Sequence, residues 1–316
     1  MQQHKNPLII LTGPTAVGKT DLSVQLAKKI NGEIISADSM QVYKHMDIGS
    51  AKITKEEMDG VKHYLIDEFE PFDEFNVVIF KEYAKKYIEE IYKRGHVPIL
   101  TGGTGFYLQA VLYDIDFTEN ESDNKIRKSL EKFYEENGVD VLFEKLKAVD
   151  YESSLAIHKN NVKRVIRAIE FYEMTGEKIS EHNEREKQKE SPYNFCYFVL
   201  DDDRENLYKR IDKRVDIMIE KGLVDEVKKL VDMGCTKDMV SMQGLGYKEI
   251  IDYLNGNCTL EEAVYIIKRD TRHFAKRQLT WFKREKEVIT VKKPDFSYDD
   301  NKILEYMLTK IDERGL

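Results

Sequence analysis

The stretch GPTAVGKT, residues 13–20, follows the apolar run LIIL (8–11) and opens a helical pattern, DLSVQLAKKI (21–30). It matches G-x-x-x-x-G-K-[ST] at every fixed position, with strand, loop and helix in the required order. In that setting backbone N–H groups turn inward around a phosphate chain, the lysine neutralises the outer oxygens and the hydroxyl holds Mg²⁺. The motif says that a di- or triphosphate is held, not what is done with it. Loops of this kind most often take ATP or GTP, and the chain has no N-K-x-D segment of the sort that reads guanine.

Further strand-like runs, EIISA (33–37), HYLID (63–67) and VPIL (97–100), alternate with helical patterns, which is the signature of a parallel sheet with crossover helices. A late run, NFCYFVLD (194–201), reads as another strand. Between them strand signals vanish and the text turns charged and helical. The expected organisation is an α/β core formed by residues 1–120 and 191–316, with a helical insertion at 121–190. The insertion's close, EKISEHNEREKQKESPYN, reads as a mobile return linker, and the C-terminal third as mostly helix.

The 316 residues, 41% hydrophobic, can bury a large core. The N-terminal MQQHKNP has no leader-like basic and apolar regions, and no apolar stretch approaches the ~20 residues of a membrane span. A soluble cytoplasmic protein is expected. Three scattered cysteines, Cys196, Cys235 and Cys258, suggest neither a disulfide framework nor a zinc site. The net charge of −8 hides two basic segments. Residues 268–286 carry +6 and residues 158–167 carry +4, leaving the rest of the chain at −18. Positive charge segregated in this way is the footprint of a bound polyanion.

Several residues carry candidate chemistry. Asp38 ends the second strand at the edge that faces a ligand crevice, where a carboxylate serves as metal ligand or general base; the alternative is that Asp38 and Ser39 cap a turn. TGGTGFY (101–107) permits close backbone approach to the same crevice, with Thr104 as the one side chain among its glycines before the aromatic pair, or is simply a tight strand-to-helix turn. On a helix, Arg269, Arg272, Lys276 and Lys283 share one stripe, with Ala263, Ile267, Phe274 and Trp281 roughly opposite. In the insertion, Val162, Val165, Ile169 and Tyr172 form a core face that leaves Lys163, Arg164 and Arg167 toward edges or solvent. Arg210 and Arg214, four apart, can reach a diphosphate or pair with Asp212 and Asp216. QGLGYKE (243–249) sets Gln243 and Tyr247 around two glycines, as a loop that stacks or hydrogen-bonds a base or as an ordinary helix-initiating turn.

Taken in order, GPTAVGKT, SADSMQVY, GGTGFY, KRVIRAIE, QGLGYKE and TRHFAKRQLTWFK resemble the signature series of the tRNA dimethylallyltransferases, over about residues 8 to 284. The resemblance implies transfer of a dimethylallyl group from dimethylallyl diphosphate to the exocyclic amine of the adenosine on the 3′ side of the anticodon, in an α/β P-loop core with an insertion that grips the anticodon stem. It implies a diphosphate on Gly13, Pro14, Thr15, Ala16, Val17, Gly18, Lys19, Thr20 and Arg210, with Mg²⁺ on Thr20. Asp38, Thr104 and Lys19 are the implied catalytic residues. The implied tRNA contacts are Asp38, Ser39, Met40, Gln41 and Thr104 around the flipped base; Arg127, Lys163, Arg164, Val165, Ile166 and Arg167 in the insertion; Gln243, Gly244, Leu245, Gly246, Tyr247 and Lys248; and Arg272, Lys276, Arg277, Gln278, Trp281 and Lys283. A monomer is expected. Eukaryotic members can add a C-terminal zinc finger, for which this chain has no Cys or His after residue 284. Two other readings accommodate a P-loop beside a basic surface: a small-molecule or nucleotide kinase, and an RNA-binding module whose P-loop is vestigial.

Overall fold

Leu8, Ile9, Ile10 and Leu11 are all fully buried, which is what a strand covered on both faces requires of four consecutive apolar residues. They form the middle of β1 (Pro7–Thr12). The other strands are β2 (Gly32–Ser36), β3 (His63–Tyr64), β4 (Val97–Gly102), β5 (Asn194–Asp201) and β6 (Val288–Lys292). In the computed structural model, which describes residues 5–117 and 125–316, they make one sheet in the order β3-β2-β4-β1-β5-β6. Every neighbouring pair is parallel, with Ile9 of β1 beside Ile99 of β4 on one side and Cys196 of β5 on the other. Parallel pairing requires crossovers, and helices Lys19–Ile30 and Val77–Lys93 supply two of them. Because all strands point one way, the loops after β1, β2, β4, β5 and β6 gather along one edge, where ligands of such sheets bind.

The expected strand at 63–67 shrinks to His63–Tyr64, because Leu65 and Asp67 adopt left-handed conformations that end the extended run. β6 lies inside the stretch expected to be helical. Its pattern is half-exposed apart from Val291, as befits an edge strand with a weak apolar signal.

The chain divides into two compact units, one made of residues up to Leu112 together with Pro192–Leu316, the other of Tyr113–Ser191. The first holds the sheet. In the second, helices Lys125–Val149, Tyr151–Ala156, Val162–Thr175 and Ile179–Lys187 surround a core of Leu130, Leu142, Leu146, Val165, Ile166, Ala168 and Ile169. Phe171 is buried where Tyr172 was expected, and Tyr172 only partly so. The fully buried Asp150 ties two of these helices together, accepting hydrogen bonds from the N–H and hydroxyl of both Ser153 and Ser180. The segment expected to be a mobile linker is instead helix Ile179–Lys187, held by buried His182 and Glu186, which bond the carbonyl and N–H of Asp116. The expected border at residue 121 and the first four residues of the N-terminal stretch lie outside the described residues. Among the described residues no helix is long and apolar enough to cross a membrane.

Candidate active site

The loop after β1 curls through two left-handed residues, Ala16 (φ 64) and Gly18 (φ 97), before the helix begins at Lys19. Lys19 folds back over it: Nζ donates to the carbonyls of Gly13 (3.0 Å) and Pro14 (2.8 Å). Its ammonium is pushed down to about 7, chiefly by burial and next by the positive charge of Arg214, against the opposing pull of Asp38. Lys19, Arg214 and Asp38 therefore share one electrostatic neighbourhood. Thr20, one residue on, is only partly buried.

Asp38 caps a turn, accepting from the N–H of Met40 (2.8 Å) and Gln41 (3.4 Å) through the same Oδ1. The capping alternative is what these bonds show, and the turn engages only one of the two carboxylate oxygens. Thr104 starts the helix that follows β4, and its N–H donates to the carbonyl of Ala37 (3.3 Å), which sets it directly beside Asp38.

Arg210 and Arg214 do not pair with their helix neighbours. Asp212 and Asp216 are taken instead by Arg272 and by Lys268 (2.6 Å) from helix Leu260–Phe282. Arg210 donates through Nε to the Ala16 carbonyl (2.8 Å), so it grips the loop's backbone. Arg214 is partly buried, and its guanidinium is depressed first by desolvation and then by Arg210, while Asp38 opposes the shift. A further cation, Lys293, follows β6 and is 4% exposed. Its ammonium pairs with Asp300 (2.9 Å), and a methyl group on Gly18 would lie 3.2 Å from Lys293 Nζ and 3.4 Å from Arg210 Nη2, so both cations lie close to the loop. Sequence reasoning missed Lys293 along with the strand that delivers it.

Several of the residues expected to contact RNA are engaged within the protein. Gln278 is buried; it accepts from the Thr15 N–H (2.9 Å) and donates to the Gly103 carbonyl (2.9 Å), stitching the phosphate loop to the loop after β4. Tyr247 is fully buried and donates to Glu226 (2.9 Å), so it is not placed to stack on a base. Gly244 and Gly246 are buried beside it, with Leu245 and Lys248 partly exposed and Gln243 exposed and bonded to the Lys237 carbonyl. In the second unit Val165 and Ile166 belong to the core; Arg127 and Arg167 both pair with buried Glu170, leaving Lys163 and Arg164 exposed.

On helix Leu260–Phe282 the packed stripe is Ala263, Ile267, Ala275, Gln278 and Phe282. Phe274 is only partly buried, and Trp281 is 36% exposed against Phe106, edge to face at 6.2 Å. Arg269 is paired with Asp270 and Arg272 with Asp212. Lys276, Arg277 and Lys283 are exposed. Lys276, Arg277, Trp281 and Arg284 line a surface depression with His273 and Thr280.

A family of proteins described as IPP transferase matches residues 41–285. The chain is 62% identical to a tRNA dimethylallyltransferase of Lachnoclostridium phytofermentans, over 98% of this chain and 99% of that one. It belongs to the IPP transferase family. A second relative, the tRNA dimethylallyltransferase of Clostridioides difficile, is 58% identical over 89% of this chain and 90% of its own. The full-length tRNA isopentenylpyrophosphate transferase of Bacillus halodurans superposes with a TM-score of 0.74 at 46% identity, covering 98% of each chain. A eukaryotic dimethylallyltransferase captured acting on tRNA gives 0.80 at 31% identity, covering 92% of this chain and 75% of that one. As an IPP transferase the chain is an enzyme rather than a vestigial binding module, and the kinase reading falls away. The matched segment starts at Gln41, past the phosphate loop and Asp38, but the near-complete overlap with these relatives takes in both.

Proposed function

We propose that this chain transfers a dimethylallyl group from dimethylallyl diphosphate to the exocyclic amine of the adenosine 3′-adjacent to the anticodon of a tRNA, releasing diphosphate. Transfer of a prenyl group to tRNA follows from the family. The donor, the target atom and the residue roles are our reading, carried by one observation: a carboxylate, Asp38, electrostatically coupled to the partly buried cations Lys19 and Arg214 beside a phosphate loop.

The allylic C–O bond breaks with its electron pair leaving on the diphosphate. Loop N–H groups, Lys19 and Arg214 stabilise that growing negative charge. The amine nitrogen forms the new bond to the allylic carbon, and its proton passes to the Asp38 oxygen not engaged by the turn. Adenine has to leave its stack to reach this point, and the turn Asp38–Gln41 with Thr104 receives it. Among the described residues there is no cluster of three His, Cys, Asp or Glu side chains able to hold a metal. Mg²⁺ is commonly bound by one or two protein oxygens plus substrate phosphates; the Thr20 hydroxyl is the group that would hold it here, and the ion would neutralise diphosphate charge. Exposed Lys163, Arg164, Lys276, Arg277 and Lys283 are offered to tRNA phosphates.

Isotope-labelled dimethylallyl diphosphate and an anticodon stem-loop RNA test the reading. Label is expected in RNA carrying adenosine at that position and absent from RNA carrying purine riboside, which lacks the amine. Asp38→Ala should cost about 10² to 10⁴-fold in transfer with RNA affinity within a few-fold. Equal labelling of both RNAs, or loss of RNA binding with turnover kept, overturns it.

A further inference from the structure

Glu226, on helix Leu223–Asp232, makes four hydrogen bonds that no crevice chemistry uses. Its carboxylate accepts from the consecutive backbone N–H groups of Asp47 (2.9 Å), Ile48 (2.7 Å) and Gly49 (3.0 Å), and from the hydroxyl of Tyr247 (2.9 Å). These N–H groups belong to the loop that follows the Asp38–Gln41 turn. The same loop is fastened to the turn from inside, where Gln41 Nε2 donates to the carbonyls of Ser50 (3.3 Å) and Ala51 (3.2 Å). Two of its non-glycine residues, His45 (φ 65) and Ala51 (φ 48), are left-handed, a conformation that persists only where surrounding contacts over-determine it.

Packing completes the brace. The Tyr247 ring fills the space a side chain on Gly49 would need, with Cζ 2.5 Å from the position of a Cβ there. On the other side of the segment, the Met40 sulfur lies 2.8 Å from where a Cβ on Gly244 would be. Met40 is part of the turn itself, so the segment Gly244–Tyr247 touches the turn at one end and, through Glu226, its supporting loop at the other.

We propose that Glu226, Tyr247 and Gly244 are positioning residues that set the shape of the Asp38–Gln41 turn, and through Met40 the fit of the flipped adenosine, without contacting the RNA themselves. This rests on the function proposed above. A carboxylate suits this position because it accepts from all four donors at once, and charge-assisted bonds are the stronger kind. In Glu226→Gln one oxygen becomes an NH₂ that faces donors, so the loop is released while side-chain volume is kept.

The experiment measures kcat and KM for stem-loop RNA and, separately, for dimethylallyl diphosphate. Glu226→Gln is expected to lower kcat/KM for RNA by roughly 10-fold or more and to leave KM for the diphosphate within about two-fold, a split that general loosening of the fold would not produce. Gly244→Ala should push Met40 out of place and lower kcat/KM for RNA as well. In a Met40→Ala background the same change at Gly244 should cost several-fold less than in wild type, what remains being its 3.1 Å contact with Tyr247 Cδ2. Wild-type kcat/KM for RNA in Glu226→Gln, equal losses for both substrates, or additive effects of Gly244→Ala and Met40→Ala overturn the inference. Should Glu226→Gln fold poorly, the Met40–Gly244 pair decides alone. Absence of transfer by the wild-type enzyme would instead overturn the proposed function, so the two failures are distinguishable.

Discussion

Arg210 Nε donates to the Ala16 carbonyl at 2.8 Å, which engages the arginine with the phosphate loop's own backbone, whereas Arg214 shares its electrostatic neighbourhood with Lys19 and Asp38. If the reading proposed above holds, the two arginines, four residues apart on one helix, differ in role. Arg214→Gln is expected to raise KM for dimethylallyl diphosphate and to slow transfer by ~10² to 10³, the usual cost of removing one stabilising group from a developing anion. Arg210→Gln should lose about tenfold or less, since the loop retains its remaining contacts. Steady-state kinetics at saturating RNA measure both, and equal losses would remove the distinction.

Lys19 supplies a pH signature. Without ligand, its ammonium is held down at about 7 by burial and by Arg214. Bound diphosphate raises that value again, so binding takes up a proton between the two. The sign follows: donor affinity is insensitive to this group well below pH 7 and falls above it, by at most about tenfold per pH unit. Lys19→Arg, which stays charged, should flatten that limb of the curve. Calorimetric titration at pH 8 in buffers of different ionisation heat reads the proton directly. Parallel limbs for wild type and Lys19→Arg would move the titration to another group.

The curl of the phosphate loop, the turn at Asp38 and the strand-to-helix turn at Thr104 were legible in the sequence because each is local: a strand end followed by a turn with fixed chemistry. What escaped was whatever depended on a partner far along the chain. Tyr247 reads as a base-stacking residue until Glu226 is seen beneath it, 21 positions away. Gln278 sits in a basic segment and reads as an RNA contact, but it is turned inward by Thr15 and Gly103. Lys293 arrives on an edge strand whose one deeply buried residue, Val291, gives too little alternation to notice. The split between Arg210 and Arg214 depended on Asp212 and Asp216 being claimed by another helix, information that spacing along one helix does not contain.

Acid stability offers a test of the opposite edge of the sheet. Glu33 is buried, which alone would raise its pKa, yet hydrogen bonds from Arg94, Tyr64 and His96 outweigh this and bring the carboxyl down to about 2. A depressed carboxylate contributes stability above its unfolded value of ~4.5, lost as pH falls through the folded value. Wild type should therefore lose on the order of 3 kcal/mol from this group between about pH 5 and 2. Glu33→Gln should be less stable at neutral pH and show a flatter decline. Urea unfolding across that range checks it, and identical slopes for the two proteins would refute the assignment.

The exposed cations of helix Leu260–Phe282 can be separated by what they already hold. Arg272 is spent on Asp212 and Arg269 on Asp270, whereas Lys276 is exposed in a depression shared with Arg277 and Arg284. The acidic residue at that end, Glu285, is pushed up to about 7 by burial despite a hydrogen bond from Trp281, so at neutral pH it carries only part of a negative charge. Each lysine that neutralises an RNA phosphate releases counterions, and its removal lowers the magnitude of the salt slope by roughly 1. Lys276→Ala should show that change in stem-loop binding and leave donor affinity intact. Arg272→Ala should change the slope much less, because its charge is already matched within the protein. Titrations at several salt concentrations decide between them: equal slope changes would mean that Arg272 leaves Asp212 for the RNA, and no change for Lys276 would leave this face outside the interface.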